Sequence, residues 1–173
     1  GSLVLMPELE LHFKKISSTD DLTVLIPDMG SSKLGQSYAK GLGMSFALID
    51  KRRNAHNQSE VVSVVGELEN QHVLIIDDMI DTAGTISNAA QVAKDKGALT
   101  VTVAATHGIL SANAIERLSN DTIDHIFITD TIDMSHIKDC SKLKTISSAK
   151  IFAETINRIH NGESVSQLFR KVT

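Results

Sequence analysis

The feature that most constrains this chain is an alternation. From Leu22 to Asn161, short β-rich apolar runs take turns with stretches of helical pattern. Strands are read at Leu22–Pro27, Ser45–Asp50, Val61–Val65, Gln71–Asp77, Leu99–Thr106, His125–Thr129 and Lys144–Ile146. Helices are read at Lys33–Leu42, Thr85–Lys96, Asn113–Leu118 and Ala149–Asn161, with Gly41 and Gly43, Gly97 and Gly162 as stops. The run Val73-Leu74-Ile75-Ile76 is apolar at four successive positions, so both faces of that strand must be covered. Continuous apolar strands separated by helices give an α/β fold with a doubly wound parallel sheet. Ligands of such sheets sit beyond the carboxyl ends of the strands. Asp28, Asp50 and the pair Asp77-Asp78 are expected there.

Length and composition narrow the function. The 173 residues make about one domain. Seventeen Lys and Arg against 21 Asp and Glu leave a formal charge of −4, which argues against a broad nucleic-acid-coating face. With no Trp, one Tyr and five Phe, a base-stacking platform is not expected either. No apolar run approaches the ~20 residues that span a bilayer. The single cysteine, Cys140, excludes an intrachain disulfide and multi-cysteine metal sites. A cytoplasmic protein with no nucleic-acid or membrane partner is expected. Gly1-Ser2 reads as a cloning remnant, and the start carries no basic segment of a signal peptide.

The richest segment is Asp77-Asp78-Met79-Ile80-Asp81-Thr82-Ala83-Gly84-Thr85. Carboxylates leave a buried strand, and hydroxyls and a glycine precede a helix. Amides at a helix start cradle phosphate, and the Thr82 and Thr85 hydroxyls add donors. Carboxylates beside a phosphate would repel it. Asp77 and Asp78 therefore suit ribose hydroxyls or a cation's water shell. A surface turn with one capping residue explains a single aspartate, but not two adjacent ones after a buried strand.

This segment resembles the phosphoribosyl-diphosphate motif of ribose-phosphate pyrophosphokinases and type I phosphoribosyltransferases, and its wording is closer to the pyrophosphokinases. Three further segments are similar to that family, in the same order, from about Leu22 to Phe169. The resemblance implies a ribose 5-phosphate site at Asp77, Asp78, Asp81, Thr82, Ala83, Gly84 and Thr85. It implies a flexible catalytic loop opening at Asp50-Lys51-Arg52-Arg53, in which Lys51 and Arg53 stabilise the transferring group. It also implies a pyrophosphate loop at Asp28, Met29, Gly30 and Ser31, with Asp28 as a magnesium ligand. There the family usually has a second glycine in place of Ser31 and a basic residue in place of Leu34. From the residues alone, this loop also reads as a helix cap on Ser31 or Ser32.

Thr106-His107-Gly108-Ile109-Leu110-Ser111 and Thr129-Asp130-Thr131-Ile132 are familiar from the same enzymes; by itself His107 suits an acid or base, but reads first as a hydrogen-bonded strand-end residue. In some members, positions matching Ser164, Ser166 and Phe169 lie at a regulatory site between subunits. The implied activity is Mg2+-dependent transfer of diphosphate from ATP to ribose 5-phosphate, in a homo-oligomer serving nucleotide biosynthesis. Residues 1–21 are too short for the family's N-terminal domain, so residues 3–173 are read as the C-terminal, ribose-phosphate-binding half. Two other readings stay open: a noncatalytic ribose-phosphate-binding paralogue, and a type I phosphoribosyltransferase.

Overall fold

The computed structural model describes residues 2–16, 21–53, 60–135, 137 and 140–171, with the backbone alone at 2, 51–53, 60–62 and 169–171. Among the described residues, seven strands form one sheet: β1 Leu22–Ile26, β2 Ser45–Arg53, β3 Glu60–Val65, β4 His72–Ile80, β5 Thr100–Gly108, β6 His125–Thr129 and β7 Leu143–Ile146. Their spatial order is β3-β2-β1-β4-β5-β6-β7. All neighbours pair in parallel except β2 and β3. The fold class is therefore α/β and doubly wound, with an antiparallel edge that the all-parallel reading lacked.

Among the described residues, helices α1 Ser2–Ile16, α2 Ser32–Leu42, α3 Gly84–Asp95 and α4 Ala114–Leu118 pack on the sheet, while α5 Ala149–His160 follows β7 and buries no residue of its own. The two-sided burial of Val73–Ile76 is literal. Val73 and Ile75 join a core with Ile86, Ala89, Ala90, Leu118 and Ile126, on the side of α3 and α4. Leu74 and Ile76 join a second core with Leu5, Leu9, Phe13, Tyr38 and Phe127, on the side of α1 and α2. Strand side chains alternate between faces, so one apolar run serves both layers. Helix α2 lies very close to the sheet at Gly35, where a Cβ would stand 2.5 Å from Ile26 Cγ1.

Three boundaries differ from the sequence reading. Helix α1 was not foreseen, because Pro7 sits inside it and interrupts a helical pattern. Packing overrides that penalty: Leu5, Leu9 and Phe13 recur at helical spacing and are almost wholly buried, each contributing about 2 kcal/mol of apolar burial. Strand β2 runs on through Arg53, so the basic triplet is strand rather than loop. The β-branched run of β3 supplies its partner, with Lys51 opposite Val62 and Arg53 opposite Glu60. Strand β4 runs on to Ile80, so Asp77 and Asp78 lie within it, and Asp50 likewise lies within β2.

The strand order reverses at β1. The chain moves outward from β1 to β2 and β3, then returns to place β4 on the other side of β1. A crevice opens where order reverses, and that is where open α/β sheets bind ligands. Pairing of β1 with β4 ends at Leu25 and Ile75, whereas β4 stays paired with β5 as far as Ile80 and Gly108. Beyond Ile76 the β1 side of β4 is thus exposed to the crevice.

Candidate ribose-phosphate site

Two strand–loop–helix junctions flank this crevice, and they treat their amides oppositely. After β4, Thr82 and Ala83 lead into α3, with Ala83 at the N-cap position in the left-handed region (φ 59°). Alanine has no capping side chain, so the first-turn amides of α3 lack the local acceptor that Ser, Asp or Asn would supply. A left-handed alanine is strained, and such strain gathers at functional sites. Gly84 has an ordinary helical φ, and a Cβ there would come no closer than 3.6 Å to any neighbour. Neither backbone nor packing requires glycine; its bare face borders a cavity of about 180 Å3 lined by Asp77 and residues 79–86.

The loop after β5 holds this junction in shape. Ile109 and Leu110 donate their amides to the Ile80 carbonyl, and Ser111 donates its own to Asp81 O. The Ser111 hydroxyl donates to the Asp81 carboxylate. Arg117 of α4 donates through Nη1 to Thr82 O at 2.8 Å. Leu110 and Ala112, like Ala83, have positive φ. Arg117 escaped the sequence reading, and Ser111 entered it only as the end of the segment from Thr106; they lie 35 and 30 residues from their partners, and no local pattern links them to the motif. The Ser111 bond gives Asp81 a partner within the protein. What residues 81–85 offer a phosphate is mainly backbone N–H and the Thr82 and Thr85 hydroxyls.

After β1, the junction supplies its own acceptor. The Asp28 carboxylate accepts the amides of Gly30 at 2.8 Å and Ser31 at 3.2 Å, both on Oδ1, and so caps the 3₁₀ turn Met29–Ser31. Ser31 does hold the N-cap position of α2, as one reading expected, but makes no side-chain cap bond there; the side-chain cap is that of Asp28 on the preceding 3₁₀ turn. Ser31 faces the other way, donating its hydroxyl to Asp77 Oδ1 at 3.3 Å. The same oxygen accepts the Asp78 amide at 2.9 Å. Asp77 is half-buried and Asp78 exposed, so the adjacent pair is not doubly desolvated. Burial pushes the Asp77 carboxyl above the ordinary carboxylate range, and the Asp78 carboxyl adds to the rise. The Asp78 amide and the Ser31 hydroxyl oppose it.

Residues 52–170 match the family described as the phosphoribosyl synthetase-associated domain. The chain belongs to that family. It is 44% identical over 158 residues to the ribose-phosphate pyrophosphokinase of Chlorobaculum tepidum, covering 91% of this chain and 49% of that protein. It is 43% identical to that of Caldanaerobacter subterraneus, covering 94% of this chain and 52% of that protein. A crystal structure of phosphoribosylpyrophosphate synthetase from Mycobacterium smegmatis matches with TM-score 0.80 and 31% identity, over 91% of this chain and 50% of that one. The chain spans about half the length of the curated relatives it matches. Adenine phosphoribosyl transferase from Trypanosoma brucei shares the fold, with TM-score 0.53 and 18% identity over 86% of this chain and 74% of that one.

Other motifs of this phosphoribosyl synthetase-associated domain are distributed as follows. His107, at the end of β5, shares a hydrogen bond through Nδ1 with Thr131 Oγ1 at 2.8 Å, as the strand-end reading expects. The backbones of Lys51 and Arg53 lie in β2, while their side chains and residues 54–59 fall outside what is described. In the tail, Ser164 Oγ and Ser166 Oγ are 2.7 Å apart, and Arg158 donates to Ser164 O. Phe169 lies in the 3₁₀ segment Val165–Lys171, with its side chain outside the described residues. No helix among the described residues is long and apolar enough to cross a membrane. A larger cavity, about 440 Å3, lies between α1 and the N-terminal ends of β6 and β7, at the opposite edge of the sheet from the strand exits.

Proposed function

We propose that this chain is the ribose 5-phosphate-binding half of a ribose-phosphate pyrophosphokinase. The whole protein would transfer the diphosphoryl group of ATP to the 1-hydroxyl of ribose 5-phosphate, for nucleotide biosynthesis in the cytoplasm. The observation that carries this reading is the uncapped start of α3 beside Asp77, at the point where strand order reverses. A phosphate there would meet the amides of residues 82–85, reinforced by the Thr82 and Thr85 hydroxyls and the helix dipole. The pentose would then extend along β4 toward Asp77 and Asp78, whose carboxylates accept from vicinal hydroxyls. That orientation presents the 1-hydroxyl to the crevice between the two junctions. Holding acceptor and diphosphate in line is the main work of such a reaction. Lys51 and Arg53, on the β2–β3 arm, would neutralise charge as the diphosphoryl group moves.

Magnesium fits the donor set in one manner only. Among the described residues, no group of three or more His, Cys, Asp or Glu could hold a metal ion. Mg2+ in phosphoryl-transfer sites needs only one or two carboxylates, with water and substrate oxygens completing the shell. Asp28 and Asp77 or Asp78 would supply those carboxylates, and the bound ion would neutralise diphosphate charge. Regulation through Ser164, Ser166 and Phe169 would follow from a homo-oligomeric whole protein.

Calorimetry of this chain with ribose 5-phosphate tests the binding half of the proposal. Saturable binding that is lost in Thr85→Ala with Gly84→Val is expected; no heat at millimolar sugar phosphate would defeat it. In the full-length enzyme, Lys51→Ala and Arg53→Ala should each cut turnover more than substrate binding. Unchanged turnover would remove the loop assignment.

A further inference from the structure

The cavity of about 440 Å3 between α1 and the starts of β6 and β7 takes no part in the ribose-phosphate reading. One face of α1 lines it, through Glu8, Leu11, His12 and Lys15, three and four residues apart in the chain. Leu5, Leu9 and Phe13 occupy another face of that helix and belong to the core. Leu11 is 56% exposed and forms an apolar wall on the helix side. The exposed ring of His125, at the start of β6, lines the sheet side. Half-buried His12 backs that ring: its centroid is 4.6 Å from that of His125 and 5.0 Å from that of Phe127, both edge-on. Its Nε2 shares a hydrogen bond with Thr102 Oγ1 at 3.2 Å, which fixes the imidazole in place.

The charges around this cavity do not balance. Glu8 Oε2 takes Lys144 Nζ at 2.8 Å, and Asp124 Oδ2 takes Lys94 Nζ at 2.9 Å and the Val101 amide at 2.7 Å. Half-buried Lys142 reaches no carboxylate among the described residues. Its Nζ donates to Ser119 O at 3.2 Å and Asn120 O at 2.9 Å, at the C-terminal end of α4. Those bonds fix the ammonium group and leave its charge unmatched. Lys15, exposed near the end of α1, likewise has no carboxylate partner among the described residues. Both carboxylates of the lining are therefore engaged, while two of its three ammonium groups, on Lys15 and Lys142, are free of one. An anion completes that set, and the leucine and imidazole beside it offer surface for a flat apolar body. We infer that this cavity is a binding site for a small aromatic anion, a planar ring bearing one carboxylate or phosphate group. The ring lies between Leu11 and the His125 imidazole, and the anionic group reaches Lys15 and Lys142. Cavities of roughly 300–1,000 Å3 hold organic ligands of this size. The site stands at the N-terminal ends of the strands, at the opposite edge of the sheet from the phosphate cradle, so it does not rest on the ribose-phosphate reading.

The test titrates this chain, followed by NMR, with naphthoate, naphthyl phosphate, neutral naphthol and inorganic phosphate. Either aromatic anion should shift the signals of Leu11, His125 and Leu143 saturably at millimolar concentration, and the tighter of the two tells a carboxylate site from a phosphate site. Naphthol and inorganic phosphate should each bind at least about tenfold more weakly, since each lacks one half of the recognised chemistry. Naphthol binding as tightly as the anions overturns the inference, and so does the absence of a saturable shift with both anions. Lys15→Glu should weaken naphthoate binding about tenfold at low salt and less at high salt, because the contact is exposed and screened. Leu11→Ser should weaken it about three- to tenfold through lost apolar contact. Both positions are exposed on α1, so the variants should melt close to the parent. Unchanged affinity in both variants overturns the inference. Excess ribose 5-phosphate should leave the naphthoate shifts in place; their displacement would put the probe at the strand exits and sink the separate site. If naphthoate binds here and ribose 5-phosphate binds nowhere, the ribose-phosphate reading alone fails.

Discussion

Arg117 Nη1 donates to the carbonyl oxygen of Thr82 at 2.8 Å, tying α4 to the loop that opens α3. A carbonyl held in that direction turns its peptide so that the following N–H groups can face the cavity. Arg117→Ala should therefore weaken ribose 5-phosphate binding by roughly tenfold, the equivalent of about 1.4 kcal/mol, and leave the fold intact because Arg117 is exposed. Titration calorimetry paired with thermal melting checks this. A variant that binds as tightly as the parent would show that the bond does not shape the cradle.

Asp77→Asn should oppose binding and stability to one another. The Asp77 carboxyl is raised by burial, so its ionised form costs the fold stability above its native midpoint and costs nothing well below it. Asn removes that cost at neutral pH while ending strong acceptance from a sugar hydroxyl. The expected result is a higher melting temperature at pH 7, an advantage that shrinks toward pH 4, and binding weakened by at least tenfold. A destabilised variant at pH 7 would contradict the electrostatic account.

His12, on the inner face of α1, makes a second pH response at the far edge of the sheet. Its ring lies 4.6 Å from that of His125, and Nε2 is 3.2 Å from Thr102 Oγ1. Burial chiefly, then His125 and Lys144, push its pKa down to about 4. A lowered histidine is neutral when folded but takes up a proton when unfolded, so stability falls as pH drops from about 6.5 toward about 4. Urea denaturation across that window should show the slope, and His12→Gln should flatten it. A parent chain with no slope there would refute the burial account.

Asp130 anchors the start of α5. Its carboxylate accepts the Ser148 amide at 2.7 Å, the Ser148 hydroxyl at 2.5 Å and the Ser147 hydroxyl at 2.8 Å. These donors hold its pKa below the usual carboxylate value, with the Ser148 hydroxyl the largest contributor. Stability from this contact is present above the unfolded value of 3.8 and is lost as pH falls through the lower folded one. Asp130→Ala should cost about 1 kcal/mol at neutral pH, as the loss of a helix-start acceptor does. Equilibrium denaturation of the variant at pH 7 and pH 3 reads both the size and the pH dependence.

Much of this protein is determined locally. Val73–Ile76 declared a strand covered on both faces, since four consecutive apolar side chains cannot alternate with water. The helix stop at Gly97 was legible because its left-handed φ of 85° is one that glycine adopts freely. The motif from Asp77 to Thr85 was legible because strand, carboxylates, hydroxyls and helix start lie within thirteen residues. Strand ends were less so: β2 and β4 ran past their apolar runs because pairing with β3 and β5, rather than side-chain hydrophobicity, decides where a ladder stops.

What only the tertiary structure decided is which groups meet. Helix α1 exists despite Pro7 because a distant face of the sheet needed covering. The cap on the first junction went to Asp28, since the backbone after β1 turns its amides back toward that carboxylate. Ser31 with Asp77, Ser111 with Asp81 and Arg117 with Thr82 are pairs 46, 30 and 35 residues apart. Local pattern reports periodicity and turn chemistry along the chain, whereas a hydrogen bond between loops depends on strand order, which emerges only when the whole sheet has assembled.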